Sequence, residues 1–151
     1  MGRSATLKKS VKPSKPGYIL DEQIGFILRQ VWQRHASIFA RDIGINLTSA
    51  QWAALAKLNE TGSCSQNQLG RLTAMDVATI KGVIDRLTAR GLTETSPDPE
   101  DGRRLLVSLT RAGQQIAEKA AANALAISKE TLAPLDAKER DTLIALLGRL
   151  R

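Results

Sequence analysis

The chain has 151 residues, of which 42% are hydrophobic and 25% are charged, and its formal net charge is +7. That length favours one domain with or without an oligomerisation element, and no stretch approaches the roughly 18 uninterrupted apolar residues of a transmembrane helix. The basic N-terminus lacks the apolar run of a secretory signal, and the single cysteine excludes an intramolecular disulfide, so a cytoplasmic location is expected.

The first 17 residues hold five of the 22 basic residues and no acid, which leaves the remaining chain with 17 basic and 15 acidic residues. A segment this rich in Lys, Pro and Ser buries too little apolar area to fold, so residues 1–17 are predicted to form a disordered basic tail. The tail can contact DNA phosphates, or it can simply raise the isoelectric point. No membrane partner is expected, because no amphipathic or lipidation motif accompanies the charge.

Helical periodicity dominates the first half of the chain. Apolar residues recur every three or four positions between Ile24 and Phe39, which predicts one amphipathic helix over about residues 21–42. Residues 48–51 and 65–68 fit capping boxes and predict the starts of a second and a third helix. Asp76 can cap a fourth helix, which Gly91 ends. The predicted inner faces of these last three helices hold Trp52, Leu55, Leu58, Leu69, Leu72, Val77, Ile80, Val83, Ile84 and Leu87.

A small hairpin and two more helices follow. Residues 92–95 and 105–109 are predicted to form a two-stranded hairpin, since turn-forming residues fill 96–102 and two prolines there disfavour a regular strand. An Ala-rich helix is predicted from Thr110 to about Leu132, and Asp136 begins a last helix with a leucine stripe. The predicted fold class is therefore mainly α with a small β-hairpin.

The domain organisation follows from size and pattern. The module formed by residues 47–111 is small for an independent core. The helices of residues 18–46 and 112–151 are apolar on one side, so we expect them to pack together and against a second copy as a dimerisation domain. A two-fold dimer would present two copies of the module to DNA half-sites about 10 bp, or a multiple of that, apart.

The central module has a geometry suited to DNA. A helix held by another helix and followed by an arginine-bearing loop can read one groove and contact its neighbour. On the fourth helix, Ala78 can pack on a thymine methyl group, while Thr79 and Lys81 can hydrogen-bond a base or a phosphate. Arg86 lies further along and suits a phosphate. The alternative is that Thr79 and Lys81 are ordinary solvated helix positions.

Two further regions are candidate DNA contacts. Free amides at the start of the third helix can bind phosphate, and Ser65, Gln66 and Gln68 lie there. Ser65 can equally act as a cap alone.

In the hairpin, Arg103 and Arg104 flank the tip, and one of them can enter a minor groove. Asp101 can pair with Arg103 and hold the tip in shape. The alternative is that both arginines are plain surface charges, because residues 92–111 contain four acids and three bases.

A ligand site is the other candidate. All five aromatic residues lie within the first 52 positions, and the only histidine is on the apolar face of the first helix. An aromatic acid requires flat apolar walls, a cation for its carboxylate and a donor or acceptor for a ring substituent. The alternative is that these side chains belong to the core. The candidate ligand-binding residues are Tyr18, Arg29, Trp32, His35 and Trp52.

Three segments carry a resemblance to a known family: LTSAQWAALAKL, SQNQLGRLTAMDVATIKGVIDRLTARGL and DPEDGRRLLVSLTRAG. With the spacing of Asp101, Arg103 and Val107, the chain resembles MarR-type winged helix-turn-helix transcriptional regulators over residues 21–151. The resemblance implies a homodimer that binds a palindromic operator on double-stranded DNA, usually as a repressor, and that a small aromatic or phenolic effector releases. Residues 18–39 are similar to the subgroup that represses nicotinate-degradation genes and responds to a hydroxylated nicotinate.

Other classes of protein fit less well. One histidine, one cysteine and the lack of a metal-ligand cluster, phosphate loop or nucleophile elbow argue against an enzyme, so no catalytic residue, metal or cofactor is expected. The alternative function is a DNA-binding regulator that is constitutive or responds to thiol oxidation at Cys64. The dipole of the third helix can lower the pKa of that thiol, although the chain has no second cysteine.

Overall fold

The computed structural model describes residues 17–151, so the predicted basic tail lies outside the described residues apart from Gly17. The helices in this range are α1 (Ile24–Asp42), α2 (Ser49–Thr61), α3 (Gln66–Leu72), α4 (Val77–Ala89), α5 (Arg111–Thr131) and α6 (Ala137–Gly148). The strands are β1 (Cys64–Ser65), β2 (Thr93–Pro97) and β3 (Leu105–Leu109). The prediction of a mainly α fold is confirmed. The first helix begins a few residues later than predicted, because Leu20–Glu22 form a separate 3-10 turn.

Side-chain caps set the helix starts. Thr48 and Gln51 form the complete capping box predicted at α2, with the Gln51 amide donating to the Thr48 hydroxyl at 3.1 Å. At α3 only half of the predicted box is present: Ser65 Oγ accepts from the Gln68 amide at 3.2 Å, and its reciprocal bond is not formed within residues 17–151. Each cap satisfies an amide that would otherwise lack a partner in the first helical turn.

The sheet has three strands rather than the predicted two. β1 pairs antiparallel with β3, with Cys64 opposite Val107, and the strand order is β1-β3-β2. A strand of two residues has no alternating pattern, so the sequence could not reveal it. β2 extends to Pro97, opposite Leu105, beyond its predicted end. Proline is tolerated there because β2 is an edge strand, where a missing amide costs no ladder bond.

Two clusters of buried side chains form the interior of the described chain. The larger cluster joins α2, α3, α4, the sheet and the start of α5, and its fully buried members include Leu55, Leu69, Ile80 and Leu87. The smaller cluster joins α1 to α5 and consists of Ile38, Phe39, Ile43, Ala120 and Ile127. Ile45 and Trp52 are partly buried and pack against both clusters, so they connect the central module to the long helices.

One side of α1 and one side of α6 leave large apolar side chains in solvent. Ile24, Val31 and Trp32 of α1 are at least half exposed, and so are Ile144 and Leu146 of α6. Scattered apolar residues are ordinary on a surface, but a stripe repeated on two helices marks a surface that a partner can cover. Within residues 17–151, every helix is too short or too polar to cross a membrane.

The turn between α3 and α4 brings these two helices close together. A Cβ at Gly70 would lie 3.1 Å from the Met75 carbonyl oxygen, so a larger residue there would push the helices apart. Leu72 and Val77 flank the turn and are 44% and 66% exposed, so their predicted inward orientation is wrong. They occupy the last turn of one helix and the first turn of the next, where no other element of residues 17–151 covers them.

Ala74 in this turn has a φ of 54°, in the left-handed region that favours glycine. Replacing Ala74 by glycine is expected to raise the free energy of unfolding by about 0.5–1 kcal/mol, because relief of the left-handed strain outweighs the entropy cost of glycine. Urea unfolding measures the change. Ala122→Gly, at an exposed helical position of α5, is the control and is expected to lower stability by about 1 kcal/mol. A similar loss at Ala74 would contradict the prediction.

Candidate nucleic-acid interface

α4 exposes a polar face on the side away from the core. The four residues predicted to contact DNA from this helix are all exposed: Ala78, Thr79, Lys81 and Arg86. Asp76 caps the helix, and its Oδ1 accepts the Thr79 amide at 2.7 Å. That hydrogen bond holds the pKa of the Asp76 carboxyl below its ordinary value. The start of α4 is thus fixed by its own side chains and is open to solvent.

The two cations of α4 make contacts within the helix. Lys81 Nζ lies 2.6 Å from Asp85 Oδ2, and both side chains are more than half exposed. An exposed ion pair of this kind contributes little to stability, so Lys81 can exchange Asp85 for a phosphate at small cost. The Arg86 guanidinium lies across Gly82, where a Cβ would be 3.4 Å from Arg86 Nη2.

The hairpin and the start of α3 enclose one groove of about 360 Å³. Its lining residues are Ser65, Gln66, Asn67, Arg71, Arg104 and Leu105. The structure therefore brings together three of the predicted contacts, two from the start of α3 and one from the hairpin. Gln68 is exposed but does not line this groove. Asn67 and Arg71 were not among the predicted contacts. No sequence motif marks Arg71 as a DNA contact, and it becomes a candidate only because the hairpin packs beside α3.

The hairpin tip is shaped by backbone contacts. Asp101 Oδ1 accepts the Arg103 backbone amide at 3.1 Å, and the Asp98 amide donates to the Arg104 carbonyl at 2.8 Å. The predicted pairing of Asp101 with the Arg103 side chain is wrong, because the carboxylate of Asp101 holds the main chain instead and no ion pair joins the two within residues 17–151. The shape of the tip therefore does not depend on either arginine side chain, and both arginines are exposed.

His35 lies on α1 and contacts the end of α5. Its Nδ1 is 2.9 Å from Thr131 Oγ1, and the Thr131 hydroxyl donates to the Ile127 carbonyl. Since a hydroxyl has one proton, the Thr131 oxygen accepts from His35 Nδ1–H, and a neutral ring carries its lone pair on Nε2. The rings of Trp32 and Phe39 lie on either side, with centroids 5.6 and 6.4 Å from that of His35.

The other predicted ligand residues are more dispersed. Tyr18 is 78% exposed, Arg29 is exposed, and Trp52 packs against both buried clusters. The C-terminal end of α1 is held to α5 by Arg41. Its Nη2 lies 2.7 Å from Asp42 Oδ2 and 2.7 Å from Glu130 Oε1. Trp32 and His35 are therefore neighbours, whereas the single chain leaves Tyr18 and Arg29 in solvent.

Cys64 is buried in β1 and faces the larger cluster. Burial raises the pKa of its thiol, which is opposite to the lowering expected from the dipole of α3. The cause of the increase is desolvation, since burial disfavours the charged thiolate.

Two adjoining helices followed by an arginine-bearing β-hairpin define a winged helix-turn-helix protein. The MarR family model matches residues 47–105. The transcriptional repressor NicR of Pseudomonas putida is 38% identical over 95% of this chain and 94% of its own length. The chain belongs to the MarR family. Its relatives are transcriptional regulators, and the chain is accordingly a DNA-binding regulator and not an enzyme.

Solved structures agree with this assignment. A probable transcriptional regulator from Pseudomonas aeruginosa is 60% identical, with a TM-score of 0.86 over 88% of this chain and all of that one. BpsR of Bordetella bronchiseptica, whose DNA binding is regulated by 6-hydroxynicotinic acid, is 39% identical, with a TM-score of 0.85 over 89% of this chain and 96% of that one.

Proposed function

We propose that this MarR-family regulator is a homodimeric repressor that binds an inverted-repeat operator through α4, the start of α3 and the hairpin. One observation carries the proposal: Gln66 of α3 lines a groove with Arg104 of the hairpin and a second groove with Asp85 of α4. The three elements thus share one surface, which allows α4 to enter a major groove while a hairpin arginine contacts the flanking minor groove.

Each element has a separate proposed role. Ala78 and Thr79 contact bases from the start of α4, whereas Lys81 and Arg86 contact phosphates. Polar groups at the start of α3 fix the register of the module on the DNA backbone, and the residues concerned are Ser65, Gln66 and Gln68. Arg103 and Arg104 contact the minor groove or its phosphates. With DNA as the partner, the proposed location is the cytoplasm.

A second copy of the chain is the proposed partner of the exposed apolar stripe on α1 and α6. Residues 18–46 and 112–151 then form the dimerisation domain, and residues 47–111 form the DNA-binding domain. Ile24 and Val31 of α1 and Leu146 of α6, all at least half exposed, are covered in this arrangement. The two recognition helices are related by a two-fold axis, which matches the symmetry of an inverted repeat.

The proposed effector is a small aromatic acid, with a hydroxylated nicotinate as the first candidate. The similarity to NicR and to BpsR supports this choice. Trp32 and Trp52 supply flat walls, His35 Nε2 accepts from a ring N–H or hydroxyl, and Arg29 pairs with the carboxylate. Tyr18 closes the site once a second copy covers α1. The effector releases DNA if it favours a spacing of the recognition helices that does not fit the operator.

A regulator without a small-molecule effector is the alternative function. Regulation by thiol oxidation at Cys64 is disfavoured, because burial raises the pKa of the thiol and keeps it in its less reactive protonated form. A constitutive regulator would keep its operator affinity in the presence of every aromatic acid.

The test is titration of the full chain into labelled DNA from upstream of its own gene, at about 150 mM salt. A scrambled duplex of equal length is the control. We expect dissociation constants on the order of 10⁻⁸ M or below for the operator and 10⁻⁴–10⁻⁶ M for the scrambled duplex, with one dimer per site. A hydroxylated nicotinate should then release the operator. Equal weak binding to both duplexes would contradict the proposed function.

A further inference from the structure

Asp85 lies in the middle of the exposed face of α4. Successive residues of a helix are rotated by about 100°, so the direction of each side chain follows from its position. Ala78, Gly82 and Asp85 project almost directly away from the buried side, and Lys81 and Arg86 lie on opposite sides of that line. The buried side is defined by Ile80, Val83, Ile84 and Leu87.

The charges on this face have a distinct arrangement. Asp85 is the only acid of the segment Val77–Ala89, and its carboxylate accepts from Lys81 Nζ at 2.6 Å. On the other side, the Arg86 guanidinium rests against Gly82. A central acid is therefore flanked by two cations. The small residues Ala78 and Gly82 leave open space beside the carboxylate.

We propose that Asp85 is a specificity-determining residue that selects a cytosine in each half-site. This inference rests on the proposed function, in which α4 lies in a major groove. In that position the outward line of α4 faces the base edges, and the flanking cations face the two phosphate backbones. Lys81 leaves Asp85 for a phosphate, and the carboxylate then faces the bases.

Cytosine is the base whose major-groove edge suits this carboxylate. Its N4 amine donates a hydrogen bond, whereas thymine presents the acceptor O4 and guanine presents the acceptors O6 and N7. Adenine has a donor at N6, but the acceptor N7 beside it repels a carboxylate. An unpaired carboxylate in the groove is unfavourable, so Asp85 opposes the other bases as well as binding cytosine.

The test compares the full chain with its Asp85→Asn variant on the operator. A series of altered operators is also used. In each of them, a different C·G pair is changed to T·A at the same place in both half-sites. At one position of the half-site, the change should weaken wild-type binding about tenfold or more and alter binding of the variant less than about twofold. Glu60→Gln is the matched control, because Glu60 is exposed and pairs with Lys57 on its own helix at 2.8 Å. It should behave as the wild type.

Three other results would overturn the inference. The Asp85→Asn variant could bind every duplex more tightly by the same factor and still lose affinity when the C·G pair is changed to T·A. That result would show a general charge effect and leave the proposed function intact. A positional preference for a base other than cytosine would contradict the assigned partner. A wild-type chain that binds operator and scrambled DNA equally would overturn the proposed function, and the inference with it.

Discussion

Charge reversal at Arg104 is expected to weaken operator binding by roughly 100-fold or more and to leave the fold unchanged. Arg104 is exposed immediately before β3 and lines the same groove as Ser65, Gln66 and Arg71. Because the proposed dimer uses two hairpins, Arg104→Glu removes two charge-assisted contacts and places two carboxylates beside phosphates. No buried side chain changes, so the loss should be confined to DNA binding.

Titration of labelled operator at several salt concentrations measures this effect. Arg151→Glu is the control, since it makes the same charge change at an exposed residue that does not line the groove. Arg104→Glu should also reduce the dependence of affinity on salt, because fewer counterions are released. Thermal unfolding checks that the variant is folded. Operator binding like that of the control would show that the hairpin does not contact DNA through Arg104.

The sequence predicts the helices well because their signals are local. Thr48 and Asp76 cap the helices that they were expected to begin, through hydrogen bonds to amides three residues away. The apolar period of α4 gives its four buried residues correctly. In α4 the periodicity fails at the first residue: Val77 follows the apolar pattern, but it lies in the first turn, beyond the elements that cover the rest.

Features that depend on chain topology could not be predicted in this way. β1 exists because Cys64 and Ser65 lie beside β3, and two residues carry no strand pattern of their own. Arg71 shares a groove with Arg104 although 33 positions separate them along the chain. The shape of the hairpin tip depends on a contact from the Asp101 side chain to a backbone amide, whereas a charge pattern suggests an ion pair.

The candidate ligand residues illustrate a different limit. Their aromatic and basic character indicates a site, but Tyr18 and Arg29 are exposed on the single chain. In the proposed dimer, the second copy completes this site. The spacing of residues in one sequence does not show which residues meet across such an interface. The contact between His35 and Thr131 spans 96 positions and likewise follows from packing of α1 on α5.

Gly113 lies where the backbone of α5 passes close to the start of the hairpin. A Cβ at this position would overlap the Leu92 carbonyl oxygen. Thr110 fixes the same crossing: its amide donates to the Leu92 carbonyl at 3.1 Å, and its hydroxyl donates to the Gly91 carbonyl at 2.6 Å. The Thr110 hydroxyl oxygen also accepts the Gly113 amide at 3.0 Å and so caps α5. The orientation of the hairpin relative to α5 thus depends on a residue without a side chain.

Gly113→Ala is therefore expected to lower the free energy of unfolding by about 2–3 kcal/mol, since backbone rather than a flexible side chain must move to admit the methyl group. For a chain of this size, that loss should reduce the melting temperature by roughly 5–10 °C. Operator affinity should fall as well, because α5 and the hairpin must separate and Arg104 moves with β3. Gly148→Ala, at the end of α6 with open space around its Cβ, is the control and should unfold at or slightly above the wild-type temperature. Equal melting temperatures for the two variants would mean that the crossing of α5 and Leu92 adapts freely, and that Gly113 does not fix the hairpin.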